Sequence, residues 1–319
     1  MVEIDALDRQ VTHALRINGR AGYREIGAVL GISDQTVARR YRRLREGAGL
    51  RVVGLPNPIE LGYESWVLRV RAAPDAALPI AGALARRPDT GWVAITSGGT
   101  EIACTVRVPA SADREALLLQ KLSRTPRLIA VSAHCVIHNY VGGAVGPDRR
   151  DDALTADQIA ALTRRPAGSR AAACLTDADA PLLEALSRDG RLSVTDLAAT
   201  TGWPESTTRR RLQELFDSGS LYTDVEIEPE VFGFRAAVLL WLSVAPSMVA
   251  EVGAALAEHE EVVFAAATTG LTNLQVTAAC RDMPAFYRYV TERLGSLEGV
   301  QRIESAPVLK HVKQLGPPL

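Results

Sequence analysis

Aromatic residues are scarce in this chain of 319 residues, 5% in all, too few for the stacking platforms by which proteins hold single-stranded nucleic acid. Cysteines are few as well. Cys104, Cys135, Cys174 and Cys280 are scattered with no C-x-x-C, which argues against a disulfide framework and, in a chain without a secretion signal, for reduced thiols. No apolar run reaches the roughly eighteen residues that cross a bilayer, and MVEIDALDRQ carries neither a basic nor an apolar leader segment. The expectation is a cytoplasmic protein with no membrane contact. Neither Ser/His/Asp spacing nor G-x-x-x-x-G-K occurs, so no catalytic residue, no cofactor and no enzyme activity is expected. His134 and His138 share one face of a strand, but the sequence places no further ligands beside them, so no metal site is expected either. A net charge of −1 leaves any attraction to a polyanion to local clusters.

What is present begins with such a cluster, GISDQTVARRYRRLREGAG, from Gly31 to Gly49. At about 100° per residue on a helix, Val37, Tyr41 and Leu44 form an apolar stripe, while Gln35, Thr36, Arg39, Arg42 and Arg43 lie roughly opposite. Ser33 is placed to cap the first turn, and Gly47 and Gly49 suit a left-handed stop. The arginines alone read equally well as a solvated surface. What precedes them decides for a DNA-recognition helix: Asp5 caps a helix over 5–18 with Leu7, Val11, Ala14 and Leu15 inward, and a short helix over 24–30 ends at the Gly31 turn. Three helices with a glycine turn before the last make a helix-turn-helix, and Leu50 to Gly54, with Arg51, suits a wing strand. Residues 1–55 are therefore expected to be a winged helix-turn-helix.

From Glu64 the apolar period becomes strand-like. Strands over 66–72, 92–97, 101–108 and 128–141 alternate with helical stretches over 76–86 and 111–123, a β-α-β-β-α-β order with Gly98-Gly99 as the hairpin turn. Residues 60–141 are expected to be a ferredoxin-like domain. A linker over 142–172 follows, with a short helix over 155–165 capped by Thr155 and Gln158. Then the chain repeats. An offset of 171 takes Asp8 to Asp179, Leu15 to Leu186, Gly19-Arg20 to Gly190-Arg191, Gly31 to Gly202, Thr36 to Thr207, Arg39-Arg40 to Arg210-Arg211, Leu44 to Leu215 and Gly62 to Gly233. With one residue inserted, Gly98 meets Gly270, Leu122 meets Leu294 and Val136 meets Val308. The fold class is α+β, two tandem copies of a winged helix-turn-helix plus a ferredoxin-like βαββαβ domain, the second copy over 173–226 and 230–316.

Leu7-Asp8, Asn18-Gly19-Arg20, Gly31-Ile32-Ser33, Arg39 to Leu44 and Leu61-Gly62-Tyr63, followed by βαββαβ, give a module that resembles the Lrp/AsnC family of transcriptional regulators. The resemblance covers both halves. It implies that the winged helix binds double-stranded DNA and that the ferredoxin-like domain pairs subunits and senses a small molecule such as an amino acid. A tandem chain then makes its own pseudo-dimer, and such chains are expected to form homo-oligomers. DNA contacts are expected from Ser33, Gln35, Thr36, Arg39, Arg40, Arg42 and Arg43, with Arg51 near the backbone, and in the second copy from Thr207 and Arg210. The second copy is expected to bind more weakly, because Glu214 stands for Arg43, Pro204 for Ser33, and Tyr222, Asp224 and Glu226 line its wing. The family's effector turn maps onto Gly98, Thr100 and Glu101, and onto Gly270, Thr272 and Asn273; its aspartate is absent from both, and both stretches read equally as plain turns. Two alternatives share this sequence. Sirohaem decarboxylases resemble the same architecture, but the aromatic, histidine-rich stretch expected after their second strand is missing from SGGTEIACTV and TGLTNLQVTA. An interaction scaffold suits the second half better than the whole.

Overall fold

A computed structural model describes residues 4–109, 127–146, 153–163 and 173–316; the helix expected over 111–123 lies outside them. In chain order the elements are α1 (Ala6–Ile17), α2 (Tyr23–Leu30), α3 (Asp34–Ala48), β1 (Arg51–Pro56), β2 (Tyr63–Ala72), α4 (Pro74–Ala85), β3 (Thr90–Thr96), β4 (Glu101–Pro109), β5 (Leu128–Val141), α5 (Ala156–Leu162), α6 (Ala180–Arg188), α7 (Val194–Thr201), α8 (Glu205–Asp217), β6 (Leu221–Glu226), β7 (Ala236–Val244), α9 (Val249–Ala257), β8 (Val262–Thr268), β9 (Leu274–Cys280), α10 (Met283–Arg288) and β10 (Val300–Lys313). No described helix is long and apolar enough to cross a membrane. Contacts divide the chain into two units, 1–61 with 151–232 and 62–150 with 233–319. Each unit thus takes one domain from each half of the repeat.

In the first unit local chemistry sets the helix ends. Asp5 accepts the Asp8 N–H at 2.9 Å and Asp8 accepts the Asp5 N–H at 3.1 Å, a reciprocal cap on α1. Ser33 accepts the Thr36 N–H at 3.2 Å at the start of α3, and Gly49 ends it at φ +66°. Val37, Tyr41, Leu44 and Ala48 are buried along α3; Thr208, Leu212, Leu215 and Asp217 are buried along α8. In α8 Pro204 replaces the capping serine and no side chain caps the helix.

The strand after α3 is not a wing within its own copy. β1 pairs antiparallel with β6 of the other copy, from Arg51 opposite Glu226 to Pro56 opposite Leu221. A lone strand leaves its backbone groups unsatisfied, and each copy supplies what the other lacks. Around this ladder the two copies interlock reciprocally. Arg20 donates to the Gly190 and Leu192 carbonyls, and Arg191 donates to those of Gly19 and Ala21. Gly190 donates its N–H to the Val52 carbonyl at 2.7 Å, so close that a Cβ on Gly190 would lie 2.8 Å from the Val53 carbonyl carbon. α5 adds a contact in the first copy: Gln158 caps the Val29 carbonyl at 3.0 Å, the Ala153 N–H reaches His13 Nδ1 at 3.2 Å, and Leu162 is buried.

The second unit is a closed barrel of eight strands in the order β10-β3-β4-β2-β5-β8-β9-β7. Each ferredoxin-like half contributes four strands, and the long strands β5 and β10 carry the chain from one half's sheet to the other's. Alternation sorts the side chains: Ile102, Cys104, Val106 and Val108 of β4 pack with α4 residues such as Ile80 and Leu84, whereas Ala103 joins Leu239, Trp241 and Ala306 where the two sheets face each other. In the second half Leu240, Leu242, Val276 and Leu274 form the corresponding helix-covered core.

Gly190→Ala is expected to lower the thermal midpoint, at a cost of about 1–3 kcal/mol, because backbone occupies the space its methyl would need. Gly82→Ala, inside α4 with its nearest neighbour an arginine tip at 3.7 Å, is expected to be neutral or stabilising by up to about 1 kcal/mol. Differential scanning fluorimetry of the two variants checks the contrast.

Candidate nucleic-acid interface

The outward face of α3 is smaller than its arginine count suggests. Arg40 donates to Asp5 and to Asp8, and Arg43 pairs with Asp8, whose side chain is fully buried. A buried carboxylate needs cations, so these two arginines hold α3 to the start of α1. The repeat confirms the role of the first: Arg211, the equivalent of Arg40, grips Asp179 with two hydrogen bonds of 2.7 Å. Arg40 and Arg211 therefore have the same structural role, one in each copy. Arg51 is engaged likewise, since Glu226 holds it with contacts of 2.8 and 2.7 Å and both side chains are largely buried. Arg43 remains partly exposed while anchored.

What stays open on α3 is a compact set. Gln35, Arg39 and Arg42 are exposed, and among the described residues neither arginine makes an ion pair. Ser33 and Thr36 sit at the N-terminal end of the same face, their hydroxyls 2.9 Å apart. The partial positive charge of the helix N-terminus adds to this end. α8 offers a different face. Arg210 lies 3.7 Å from Glu214 and Arg209 lies 4.0 Å from Glu205, each one turn along the same helix, while Thr207 is half-buried. Both exposed arginines thus have a carboxylate nearby, Glu214 being shared with Arg211.

The two turns considered for an effector are engaged in the fold. Ser97, Gly98 and Gly99 follow one another at φ +53°, +67° and +91°, a tight path that only glycine takes freely. Thr100 closes it by donating to the Ser97 carbonyl at 2.9 Å. Glu101 is buried and accepts from Arg69 at 2.6 Å and from Ser97 at 3.2 Å. Arg69 also donates to Glu304 at 3.0 and 2.5 Å, which holds the Glu304 carboxyl below the usual range. In the second copy Asn273 accepts the Val244 N–H and donates to the Val244 carbonyl, each at 2.8 Å. Thr272 gives its carbonyl to Thr268 at 3.2 Å, and Gly270 lies under His134, where a Cβ would come within 2.4 Å of the ring. Glu101 and Asn273 are thus both taken up by contacts within the fold, the arrangement of two plain turns.

Sequence reasoning missed Asp8, Asp179 and Glu226 as partners of these arginines. The signal for the first two was present, as Asp8 and Asp179 fall on the repeat offset with Arg40 and Arg211. Glu226 was invisible, because it becomes a partner only through a ladder formed across 175 residues.

Against this geometry, comparison with known proteins is specific. Residues 4–45 and 175–215 match the AsnC-type helix-turn-helix domain, and residues 237–318 match the Lrp/AsnC ligand binding domain; together the matches take in more than half of the chain. An uncharacterised HTH-type transcriptional regulator of Pyrococcus furiosus is 29% identical over 143 residues, 44% of this chain and 96% of that protein. The HTH-type transcriptional regulator LrpA of Pyrococcus horikoshii is 26% identical over 141 residues, 44% of this chain and 99% of that protein. The crystal structure of the siroheme decarboxylase NirDL has the same fold across 98% of this chain and 93% of its own, with a TM-score of 0.66 and 12% identity.

Asp179 supplies a pH test of the arginine anchor. Burial raises its pKa, but the hydrogen bonds from Arg211 and Thr176 outweigh burial and hold it below the ordinary value. The folded form therefore favours the carboxylate, and this stabilisation is complete above about pH 4 and is lost as the pH falls through the folded-state pKa. Thermal midpoints measured from pH 7 to pH 3 are expected to fall less steeply at the acid end for Asp179→Asn than for the unaltered protein.

Proposed function

The chain belongs to the Lrp/AsnC family of DNA-binding transcriptional regulators, and from that premise we propose that its first helix-turn-helix supplies most of its grip on DNA. In this reading Arg39, Arg42 and Gln35 enter the major groove from α3, Arg43 lies beside them while anchored to Asp8, and Ser33 and Thr36 meet a phosphate at the helix start. The second copy contributes weakly through Thr207 and Arg210. The observation that carries the asymmetry is the exposure of Arg39 and Arg42 on α3, against the Glu205 and Glu214 carboxylates beside the exposed arginines of α8. Phosphate attraction supplies much of DNA affinity, and a carboxylate beside each arginine reduces it. The reading includes a small effector of the amino-acid class, recognised by groups other than Glu101 and Asn273, a homo-oligomer of tandem chains, and action in the cytoplasm without enzyme activity.

A second reading, chemistry on a sirohaem-class tetrapyrrole, draws on the chain-wide fold likeness to NirDL. Absorption spectra of the protein titrated with an iron uroporphyrin separate the two: the regulator predicts no shifted haem-type band, and a saturable one-to-one shift supports the second reading.

Mobility-shift titrations test the asymmetry. Arg39→Ala is expected to weaken operator binding by about 1–3 kcal/mol if it reads a base, and Arg210→Ala by less than about 0.5 kcal/mol. Equal losses from the two substitutions contradict the proposal.

A further inference from the structure

The repeat that makes the two halves alike also shows where they differ, and the differences sit at positions that face one another. In the helix-turn-helix unit the β1–β6 ladder is centred on Val53 opposite Asp224, which are repeat equivalents. Arg51 then lies opposite Glu226 two residues to one side, and Leu55 opposite Tyr222 two residues to the other. Two first-half strands in this register would set Arg51 against Leu55, and two second-half strands would set Glu226 against Tyr222. The Arg51–Glu226 ion pair exists only between unlike halves.

The barrel repeats the pattern with different residues. Arg69 lies opposite Ala103 and Ser132, and Trp241 opposite Gln275 and Glu304, so Arg69 and Trp241 are equivalents, as are Ser132 and Glu304. The equivalents meet: the Arg69 guanidinium stacks on the Trp241 ring at 3.8 Å while Glu304 holds its tips. A pair of first halves would bring arginine against arginine, each left with only its own Glu101 and with serine where Glu304 stands. A pair of second halves would bring tryptophan against tryptophan, with two Glu304 carboxylates and no arginine.

We propose that the pairing faces of the two halves are built to accept each other and to reject a second copy of themselves, so that the partner each face fits is the unlike half. An unpaired or like charge on a largely buried face is costly, and such repulsion is how an interface discriminates against wrong partners. In consequence every pair carries one α3 and one α8, and a pair with two α3 helices does not form. This inference does not depend on which helix binds DNA.

Substitutions in the full-length chain reproduce the rejected contacts. Trp241→Arg places arginine opposite Arg69, as two first halves would, and Arg69→Trp places tryptophan opposite Trp241. Each is expected to lower the thermal midpoint by about 5 °C or more. An unchanged midpoint in either overturns the proposal. Because these variants can fail to fold altogether, a charge-reversal cycle at the strand ladder gives an independent reading. Arg51→Glu and Glu226→Arg are each expected to raise the unfolding equilibrium constant about tenfold or more, and R51E/E226R together to recover most of that loss. If the double substitution is as destabilising as the two singles combined, the faces are not matched by charge and the proposal fails.

Discussion

A four-stranded ferredoxin-like sheet has two open edges, and this chain depends on closing both with its own second half. β5 leaves the first sheet to pair with β8, β10 leaves the second to pair with β3, and no strand of the barrel is left as an edge. The helix-turn-helix unit obeys the same constraint on a smaller scale, where β1 and β6 satisfy each other. Exposed edges invite pairing with other chains. Here the constraint is met by duplication, and duplication frees the two copies to diverge.

Divergence has gone in two directions. On the pairing faces it has made equivalent positions complementary, as with Arg69 and Trp241. On the outward helices it has made them unequal: α3 keeps Arg39 and Arg42 exposed, while α8 places Glu214 and Glu205 beside its exposed arginines. The shared requirement is the carboxylate near the start of the first helix in each copy, Asp8 or Asp179, which must be met by an arginine from the recognition helix. At least one arginine of each basic run, and in the first copy both Arg40 and Arg43, is therefore committed to the fold before any DNA is present.

The repeat, the order of strands and of the helices among the described residues, and the apolar stripes of α3 and α8 were legible in the sequence because each follows from local period, capping or a constant offset. Val37, Tyr41 and Leu44 are buried as their spacing requires. The roles of individual arginines were not legible. A helical projection places Arg43 outward and says nothing of a buried carboxylate 35 residues away, and it reads Arg51 as a wing residue because its partner lies 175 residues on. The same limit applied to Glu101, whose place in the turn was evident but whose pairing with Arg69 and burial depend on β2 and β4 being neighbours. Long-range pairing converts charges that look free into charges that are held.

In the proposed reading one chain presents two joined recognition helices of unequal strength. Genome-wide mapping of its bound sites tests this most directly, because the aligned sites report both half-sites at once. Unequal helices predict a motif with one half-site of strongly fixed bases and, at a constant spacing, a second half in which few or no positions are fixed. A palindrome whose two halves are equally well defined would contradict it.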